Sequence, residues 1–298
     1  MSQSGLAERK PVTSAATTPA RSGAVTAVAV IGLVWLAVTL AVGHGSLHGR
    51  AGDVALSTAV LSLPALVQAA LFGAASVSLA ITAPLVATRT RVLVAVGTGA
   101  VVGALAAAPI LLAYGIQASA ARALAATVVI AGGIGGAIGA ARPVRMIAAG
   151  LLATLPVLIL EYVFGVGPVA SPLLKLFGGD GTAAHNYSAS GYVGMTTALV
   201  EGLVAGIVGY LLVRGRSFKP WAYALAGGLP GLVIGAAEVF TRLAGSWLLS
   251  MASEVSVLDK TLYAWGEGNR TNQALVVFFI GTLAALIGYG RSIKRPTE

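Results

Sequence analysis

Cysteine is absent from this chain of 298 residues, and charged residues make up only 10% of it. The lack of cysteine excludes disulfides, thiolate metal sites and a cysteine nucleophile. Soluble domains carry roughly 25% charged residues, so this chain could not cover a water-facing surface with polar groups. Hydrophobic residues instead account for 57% of the sequence. We therefore predict that most of the chain is solvated by lipid.

Long apolar runs recur along the sequence and reach or approach the ~20 residues that a helix needs to cross a bilayer. Backbone polar groups in lipid must be paired within their own segment, so each run is predicted to be a helix. The fold class is therefore an all-α integral membrane protein of about eight transmembrane helices, in a single polytopic domain over 23–290. The predicted helices are 23–43, 55–86, 92–115, 120–141, 146–166, 190–213, 222–248 and 273–290, with the longest connections at 167–189 and 249–272.

Basic residues concentrate in alternate connections, and this asymmetry predicts the orientation. With a cytoplasmic N-terminus, thirteen Lys and Arg residues fall in cytoplasmic segments and five in external loops. Cytoplasmic segments are enriched in such residues, so both termini of this cell-membrane protein are predicted to be cytoplasmic. The net charge of +9 then reflects topology rather than nucleic-acid binding. The thirteen are Arg9, Lys10, Arg21, Arg89, Arg91, Arg142, Arg145, Arg214, Arg216, Lys219, Arg291, Lys294 and Arg295; the five are Arg50, Arg122, Lys175, Lys260 and Arg270.

Short polar tails flank the predicted membrane domain. Residues 1–22 are rich in Ser, Thr, Ala and Pro, which predicts a disordered cytoplasmic tail. Residues 291–298 form a basic cytoplasmic tail. The abundant Ala, Gly and Val resemble the composition of a protein from a GC-rich bacterium.

Similar segments favour a fold built from repeated helical hairpins. The strings LPVLILE (155–161) and LPGLVIGAAE (229–238) each begin a helix that leads to a glutamate. The helices that follow end in GRSFKP (215–220) and GRSIKRP (290–296). Internal repeats are common in transport folds. Chance similarity between apolar segments is the alternative interpretation.

Three glutamates, Glu161, Glu201 and Glu238, lie within or near predicted spans. An ionisable group at the bilayer centre costs at least ~2.5 kcal/mol and usually faces a bundle interior or a water-filled cavity. Arg242 follows Glu238 by four residues, so these two side chains can meet on one helix face. We predict that these four residues bind substrate or protons. A structural hydrogen bond or a local ion pair is the alternative for each.

A glycine-rich string, AGGIGGAIGA (131–140), has the spacing of a helix-packing surface. Gly132 and Gly136 form one ridge, and Gly135 and Gly139 belong to another. Small residues at this spacing let helix backbones approach closely. A dinucleotide loop would need a surrounding strand, turn and helix, which the sequence does not provide. These four glycines are therefore predicted to pack helices together.

The string GGDGT (178–182) is similar to a phosphate-loop motif of diacylglycerol and NAD kinases. Those kinases place the motif in a soluble α/β domain, whereas here it falls in a predicted external loop. We interpret it as a turn, for which glycine and aspartate are suited.

All three histidines, His44, His48 and His185, fall in predicted external loops. Imidazole and nearby carboxylates are possible metal ligands, which makes these residues weak candidates for a metal site. Solvated loop histidines are the default interpretation. No metal or other cofactor is predicted.

The sequence around the predicted helices limits which classes of function are compatible with this chain. The sequence has no Walker A, H-E-x-x-H or G-x-S-x-G motif and no soluble domain of useful size, so an enzyme is disfavoured. We predict a transporter or permease, or the membrane subunit of a transport complex whose ATPase is a separate partner. A non-catalytic scaffold or accessory subunit, and an intramembrane enzyme acting on a lipid-linked substrate, are the alternatives. A solvent-reachable cavity that Glu201 lines with Glu238 or Arg242 would favour transport, whereas sealing of Glu201 against backbone would favour a scaffold.

Overall fold

The computed structural model describes residues 23–47, 52–114, 119–165, 167–215, 218–250 and 257–292. Within these ranges the chain is helical and has no strand. Backbone polar groups in lipid are satisfied inside each helix, which is why the apolar runs fold this way. In order, the described helices are α1 (Gly23–Leu47), α2 (Gly52–Thr82), α3 (Thr88–Tyr114), α4 (Ser119–Gly139), α5 (Val144–Gly165), α6 (Gly167–Leu176), α7 (Ala183–Val213), α8 (Pro220–Ser250) and α9 (Val257–Ser292).

Eight of the described helices are long and apolar enough to cross a membrane, which confirms the predicted number. The exception is α6, whose 10 residues extend about 15 Å at the α-helical rise, half of a ~30 Å hydrocarbon core. The chain is therefore a multi-pass membrane protein.

The prediction of two long loops was wrong. Helix α6 occupies much of the first, α7 begins at Ala183, and α9 begins at Val257 rather than at the first strongly apolar residue. In the polar part of α9, the carbonyl oxygen of Glu267 accepts from Arg242 and Arg270 donates to Glu238, so this part of the helix contacts α8 through polar groups. The predicted tail 1–22 and residues 293–298 lie outside the described residues, while Arg291 and Ser292 belong to α9.

Successive spans alternate in direction. On α8, Gly231 approaches Phe278 of α9, and seven residues further along Glu238 meets Arg270, so numbering rises on one helix as it falls on the other. Helices α1, α3, α5 and α8 thus end on the side of the bundle where α6 lies, and we call this the α6 end. The opposite end carries Arg89, in the first turn of α3, and the short connections that contain Arg142 and Arg214, and we call it the arginine-rich end.

The spans pack as two similar halves. Helices α1–α4 contact mainly one another, as do α5, α7, α8 and α9. In the first half, α4 lies between the parallel helix α2 and the antiparallel helix α3. In the second half, α9 lies in the same way between the parallel α7 and the antiparallel α8. This packing relation repeats after four spans, while a repeat of hairpins stays a prediction.

Helix α4 contacts its two neighbours at backbone distance. A Cβ added to Gly132 would lie 2.5 Å from the carbonyl oxygen of Gly99 on α3. A Cβ added to Gly135 would lie 2.2 Å from the carbonyl oxygen of Leu71 on α2. Gly136 and Gly139 approach α3 and α2 in the same alternating manner. Glycine is therefore required on both faces of α4 for the first half to pack as it does.

Helix α2 joins the two halves. Besides its neighbours in the first half, it packs against α8 and α5 of the second. Most of its apolar stretch is buried, including Leu63, Val67 and Leu71. Pro64 and Gln68 of this helix face the second half and begin the candidate site.

Candidate functional site

Seven polar side chains meet inside the spans, towards the α6 end of the second half and the adjoining face of α2. Three are carboxylates, two are guanidinium groups and two are amides. They form a charged region that includes residues of both halves. We call them the junction cluster: Gln68 of α2, Glu161 of α5, Glu201 of α7, Glu238 and Arg242 of α8, and Arg270 and Gln273 of α9.

Glu238 is the most completely paired carboxylate of the junction cluster. Its side chain is 4% exposed; its Oε1 accepts from Arg242 Nε at 3.0 Å and its Oε2 from Arg270 Nε at 2.6 Å. A buried charge costs several kcal/mol unless it is paired and hydrogen-bonded. Arg242 lies one helical turn along α8, whereas Arg270 comes from α9, so the carboxylate also holds these two helices together.

The two arginines differ in their surroundings. Arg242 is 43% exposed, and its Nη2 donates to the carbonyl oxygen of Glu267 at 3.1 Å and to the hydroxyl of Thr271. Arg270 is 22% exposed, and its buried Nη2 has no hydrogen-bond partner among the described residues. Arg270 therefore retains a donor for a group that enters the cluster.

Glu161 links the second half to the first. Gln68 Nε2 donates to Glu161 Oε2 at 3.0 Å across the contact between α2 and α5. Glu161 also interacts electrostatically with Arg270. Because Gln68 is buried, this amide is fixed close to the carboxylate.

A small cavity of about 10 Å³ lies between α2, α5, α8 and α9. A cavity needs roughly 10–15 Å³ to hold one water molecule. Two carboxylates and a guanidinium therefore share a space about the size of one water. Its lining is Pro64, Gln68, Glu161, Ile234, Ala237, Glu238, Thr241 and Arg270.

A larger space of about 340 Å³ lies between α1, α2 and α5, and we call it the lateral groove. Its volume is within the roughly 300–1,000 Å³ typical of small-molecule sites. Gln68 and Glu161 line both the groove and the small cavity, so they separate the two spaces. The groove is lined by Trp35, Val38, Thr39, Val42, Gly43, Ser62, Ala65, Leu66, Gln68, Leu158, Glu161 and Tyr162.

Glu201 lies deeper in the second half. It is fully buried; its Oε2 accepts from Gln273 Nε2 at 2.8 Å, and its Oε1 has no partner among the described residues. It interacts electrostatically with Glu161, but it lines neither of the two cavities. The structure thus places Glu161, rather than Glu201, in a cavity with Glu238. The partner of Glu201 is a side-chain amide, so the residue is not sealed against backbone.

The sequence analysis missed Gln68, Arg270 and Gln273. The assignment of Arg270 to an external loop was wrong, because α9 begins thirteen residues before it and carries it into the bundle. Two signals were present in the sequence. Gln68 interrupts an apolar run, and Arg270 and Gln273 are three residues apart, on one helix face.

His44 and His185 lie apart from the junction cluster. His44 belongs to the last turn of α1, His185 to the first turn of α7, and His48 lies outside the described residues. Within the described part of the chain, no three His, Cys, Asp or Glu residues are grouped so as to hold a metal ion.

The GGDGT segment is a turn that begins α7. Gly178 and Gly181 have φ angles of +89° and +93°, which glycine adopts without strain. Thr182 caps α7, and Asp180 accepts from Thr182 N at 2.9 Å and lies 2.5 Å from His185 Nδ1. Hydrogen bonds from His185 and Thr182 hold the pKa of Asp180 well below its usual range. These contacts give the segment a local structural role.

Comparisons with known proteins add no relative to this description. No protein-family model, curated protein or solved structure matches the chain. The role of the junction cluster therefore has to be argued from its own contacts, its charges and its position between the two halves of a multi-pass membrane protein.

Proposed function

We propose that the protein is a transporter or permease, or the membrane subunit of a transport complex, with the junction cluster as its site for substrate and coupling ion. The observation that carries this proposal is the small cavity, where Glu161, Glu238 and Arg270 meet at the contact between two similarly packed halves. Transporters built from repeats bind their substrates at the repeat interface. Ionisable residues inside spans are costly and commonly mark such paths.

The charge balance of the cluster favours a positively charged occupant. Three carboxylates, those of Glu161, Glu201 and Glu238, lie with two guanidinium groups, and both of these donate to Glu238. With every group ionised, the cluster carries one net negative charge in a medium where unpaired charge is expensive. A proton or a small cation completes this balance, and we propose such an ion as the coupling species.

Glu201 is the proposed proton site. One of its oxygens accepts from Gln273 and the other has no partner among the described residues, although the side chain is fully buried. A buried oxygen without a partner costs about 1–3 kcal/mol, whereas a protonated carboxyl group has its own donor. Its interaction with Glu161 would connect proton occupancy to the small cavity.

The proposed transport step is a movement of one half against the other. The small cavity is lined by α2 on one side and by α5, α8 and α9 on the other. Separation of α2 from α8 at one end of the bundle, and then at the other, would expose the cavity to each side of the membrane in turn. We place both termini on the cytoplasmic side of the cell membrane, so that the α6 end is external.

Cysteine labelling tests this step without knowledge of the substrate, because the chain has no cysteine of its own. Ala237 lines the small cavity and is 4% exposed. In the Ala237→Cys variant, we expect a membrane-impermeant thiol reagent to react from either face of sealed vesicles. Val239→Cys is the matched control, because Val239 is exposed on α8 and lines neither cavity, so it should stay unreactive in lipid.

Reaction of Ala237→Cys from one face alone, or from neither, would contradict the transport proposal and favour the scaffold. Adding Glu201→Gln to the Ala237→Cys chain tests the proton site. We expect the ratio of labelling from the two faces to change severalfold. A lower thermal stability with an unchanged ratio would instead show that Glu201 is structural.

A further inference from the structure

The lateral groove is lined mostly by apolar side chains, and its lining also includes the polar residues Gln68 and Glu161. Val38, Val42, Leu66 and Leu158 supply apolar surface along it. Its walls include half-exposed or exposed side chains of α1, α2 and α5, so the space opens sideways from the bundle. Because these helices span the membrane, the opening faces lipid. A ligand would therefore enter from the bilayer with an apolar part along the walls.

The lining of the groove includes one carboxylate and one amide. Glu161 accepts from Gln68 through Oε2, and the described lining residues include no basic side chain. The cations of the junction cluster lie on the other side of Glu161, where both donate to Glu238. A ligand in the groove thus meets the Glu161 carboxylate and no cation among the described lining residues, which favours a headgroup with an ammonium group over one that ends in an anion.

We propose that the lateral groove binds an amphiphilic amine, with its apolar chain along α1, α2 and α5 and its ammonium group on Glu161. Trp35 and Tyr162 belong to the lining, and aromatic faces attract ammonium groups. Thr39 and Ser62 add hydroxyl groups along the walls. This inference rests on the proposed function, for which it names the substrate class.

The same chemistry can come from two sources. One is the ethanolamine headgroup of a membrane phospholipid, and the other is a free lipophilic amine dissolved in the bilayer. Both present an ammonium group, which the phospholipid carries beyond its phosphodiester and the free amine carries directly on its apolar body. The lipid composition of the binding assay distinguishes them, because a phospholipid occupant would compete with an added amine.

The test uses radiolabelled dodecylammonium and the full chain in phosphatidylcholine nanodiscs, with empty nanodiscs as the blank. We expect saturable binding that unlabelled dodecylammonium displaces and that dodecanol and dodecanoate do not. Glu161→Gln, which keeps the shape and removes the charge, should weaken binding at least tenfold. Asp180→Asn is the matched control, because it removes an exposed carboxylate in the α6–α7 turn and should change the affinity less than twofold.

A second variant fills the groove without altering Glu161. Ala65 is exposed and lines the groove, so Ala65→Leu should also weaken binding at least tenfold. Ala104→Leu places the same side chain at an exposed position of α3 away from the groove and should leave binding unchanged. Each variant is first compared with the native chain by size-exclusion elution and thermal unfolding. If one of Ala65→Leu and Glu161→Gln folds poorly, the other alone tests the site.

Equal binding of dodecanol and dodecylammonium, or full affinity in both Glu161→Gln and Ala65→Leu, would overturn the inference. A loss of dodecylammonium affinity in phosphatidylethanolamine nanodiscs would identify the phospholipid as the source, and unchanged affinity would identify a free amine. If dodecylammonium binds but Ala237→Cys is not labelled from both faces, the transport proposal is refuted and the amine site is retained. If Ala237→Cys is labelled from both faces but dodecylammonium does not bind, the amine site is refuted and the transport proposal is retained.

Discussion

Glu238 has two guanidinium partners because its carboxylate is buried, at 4% exposure, and water does not stabilise its charge. Removing one partner of a buried pair leaves an uncompensated charge, at a cost of about 3–5 kcal/mol. The two partners are not equivalent, since Arg270 is 22% exposed and Arg242 is 43% exposed. The less exposed arginine should contribute more to stability.

We expect Arg270→Met to lower the free energy of unfolding by about 3–5 kcal/mol, because Glu238 then keeps only its more exposed partner. Arg242→Met should cost less. Thermal unfolding in detergent, followed by size-exclusion chromatography, compares the two. Replacing both members of the pair, with Glu238→Gln and Arg270→Met, should recover most of the loss. Equal losses of unfolding free energy for Arg270→Met and Arg242→Met, or no recovery in the double variant, would contradict the larger contribution of Arg270 to stability.

At the residue scale, the sequence could predict contacts within a helix but not those between helices. The four-residue spacing of Glu238 and Arg242 was sufficient to bring them together on one face. Arg270 lies 32 residues from Glu238, and Gln68 lies 93 residues from Glu161. Such pairs depend on which helices are neighbours, and apolar composition does not specify neighbours in lipid. The cavity between them was unpredictable for the same reason.

At the element scale, α4 is the helix whose sequence most directly sets its packing. Two of its faces contact neighbouring backbones, and the glycine spacing follows these faces at offsets of four residues. The beginning of α9 is the opposite case. Its polar residues gave no apolar signal, and its helical conformation accompanies contacts with α8 that only the assembled fold provides.

Gly135→Ala and Gly133→Ala form a matched pair on α4. A Cβ at Gly135 would lie 2.2 Å from the carbonyl oxygen of Leu71, whereas one at Gly133 would lie 3.9 Å from the side chain of Val96. We expect Gly135→Ala to destabilise the protein by about 1–3 kcal/mol through overpacking. Gly133→Ala should be neutral or slightly stabilising, because alanine favours helix. Thermal unfolding measures both, and similar effects at the two positions would refute the close approach of α4 and α2.

At the scale of the whole molecule, hydropathy predicted the number of spans because lipid imposes a minimum length and an apolar composition on each of them. It could not predict the division into two halves, which arises from helix contacts. The orientation in the membrane stays a prediction, since it depends on the distribution of arginine across the bilayer rather than on packing.

Single-cysteine labelling of intact cells tests the orientation. Ser171 lies on α6, while Ala87 and Ala141 lie in the two connections α2–α3 and α4–α5, and all three are exposed. A membrane-impermeant maleimide should label Ser171→Cys in intact cells. It should label Ala87→Cys and Ala141→Cys only after lysis. Opposite behaviour of Ala87→Cys and Ala141→Cys would refute the alternation of spans, and a full reversal would place the termini outside.

The position of Gln68 couples ligand binding in the lateral groove to the packing of the two halves against each other. Its amide reaches Glu161 across the contact between the halves and lines the spaces on both sides of that carboxylate. Sliding α2 by a single residue, about 1.5 Å along its axis, would change the length or the alignment of the 3.0 Å bond. A ligand that displaces Gln68 from Glu161 therefore changes the free energy of the contact between the halves. By reciprocity, a partner protein or lipid that shifts α2 changes the affinity for that ligand by the same factor.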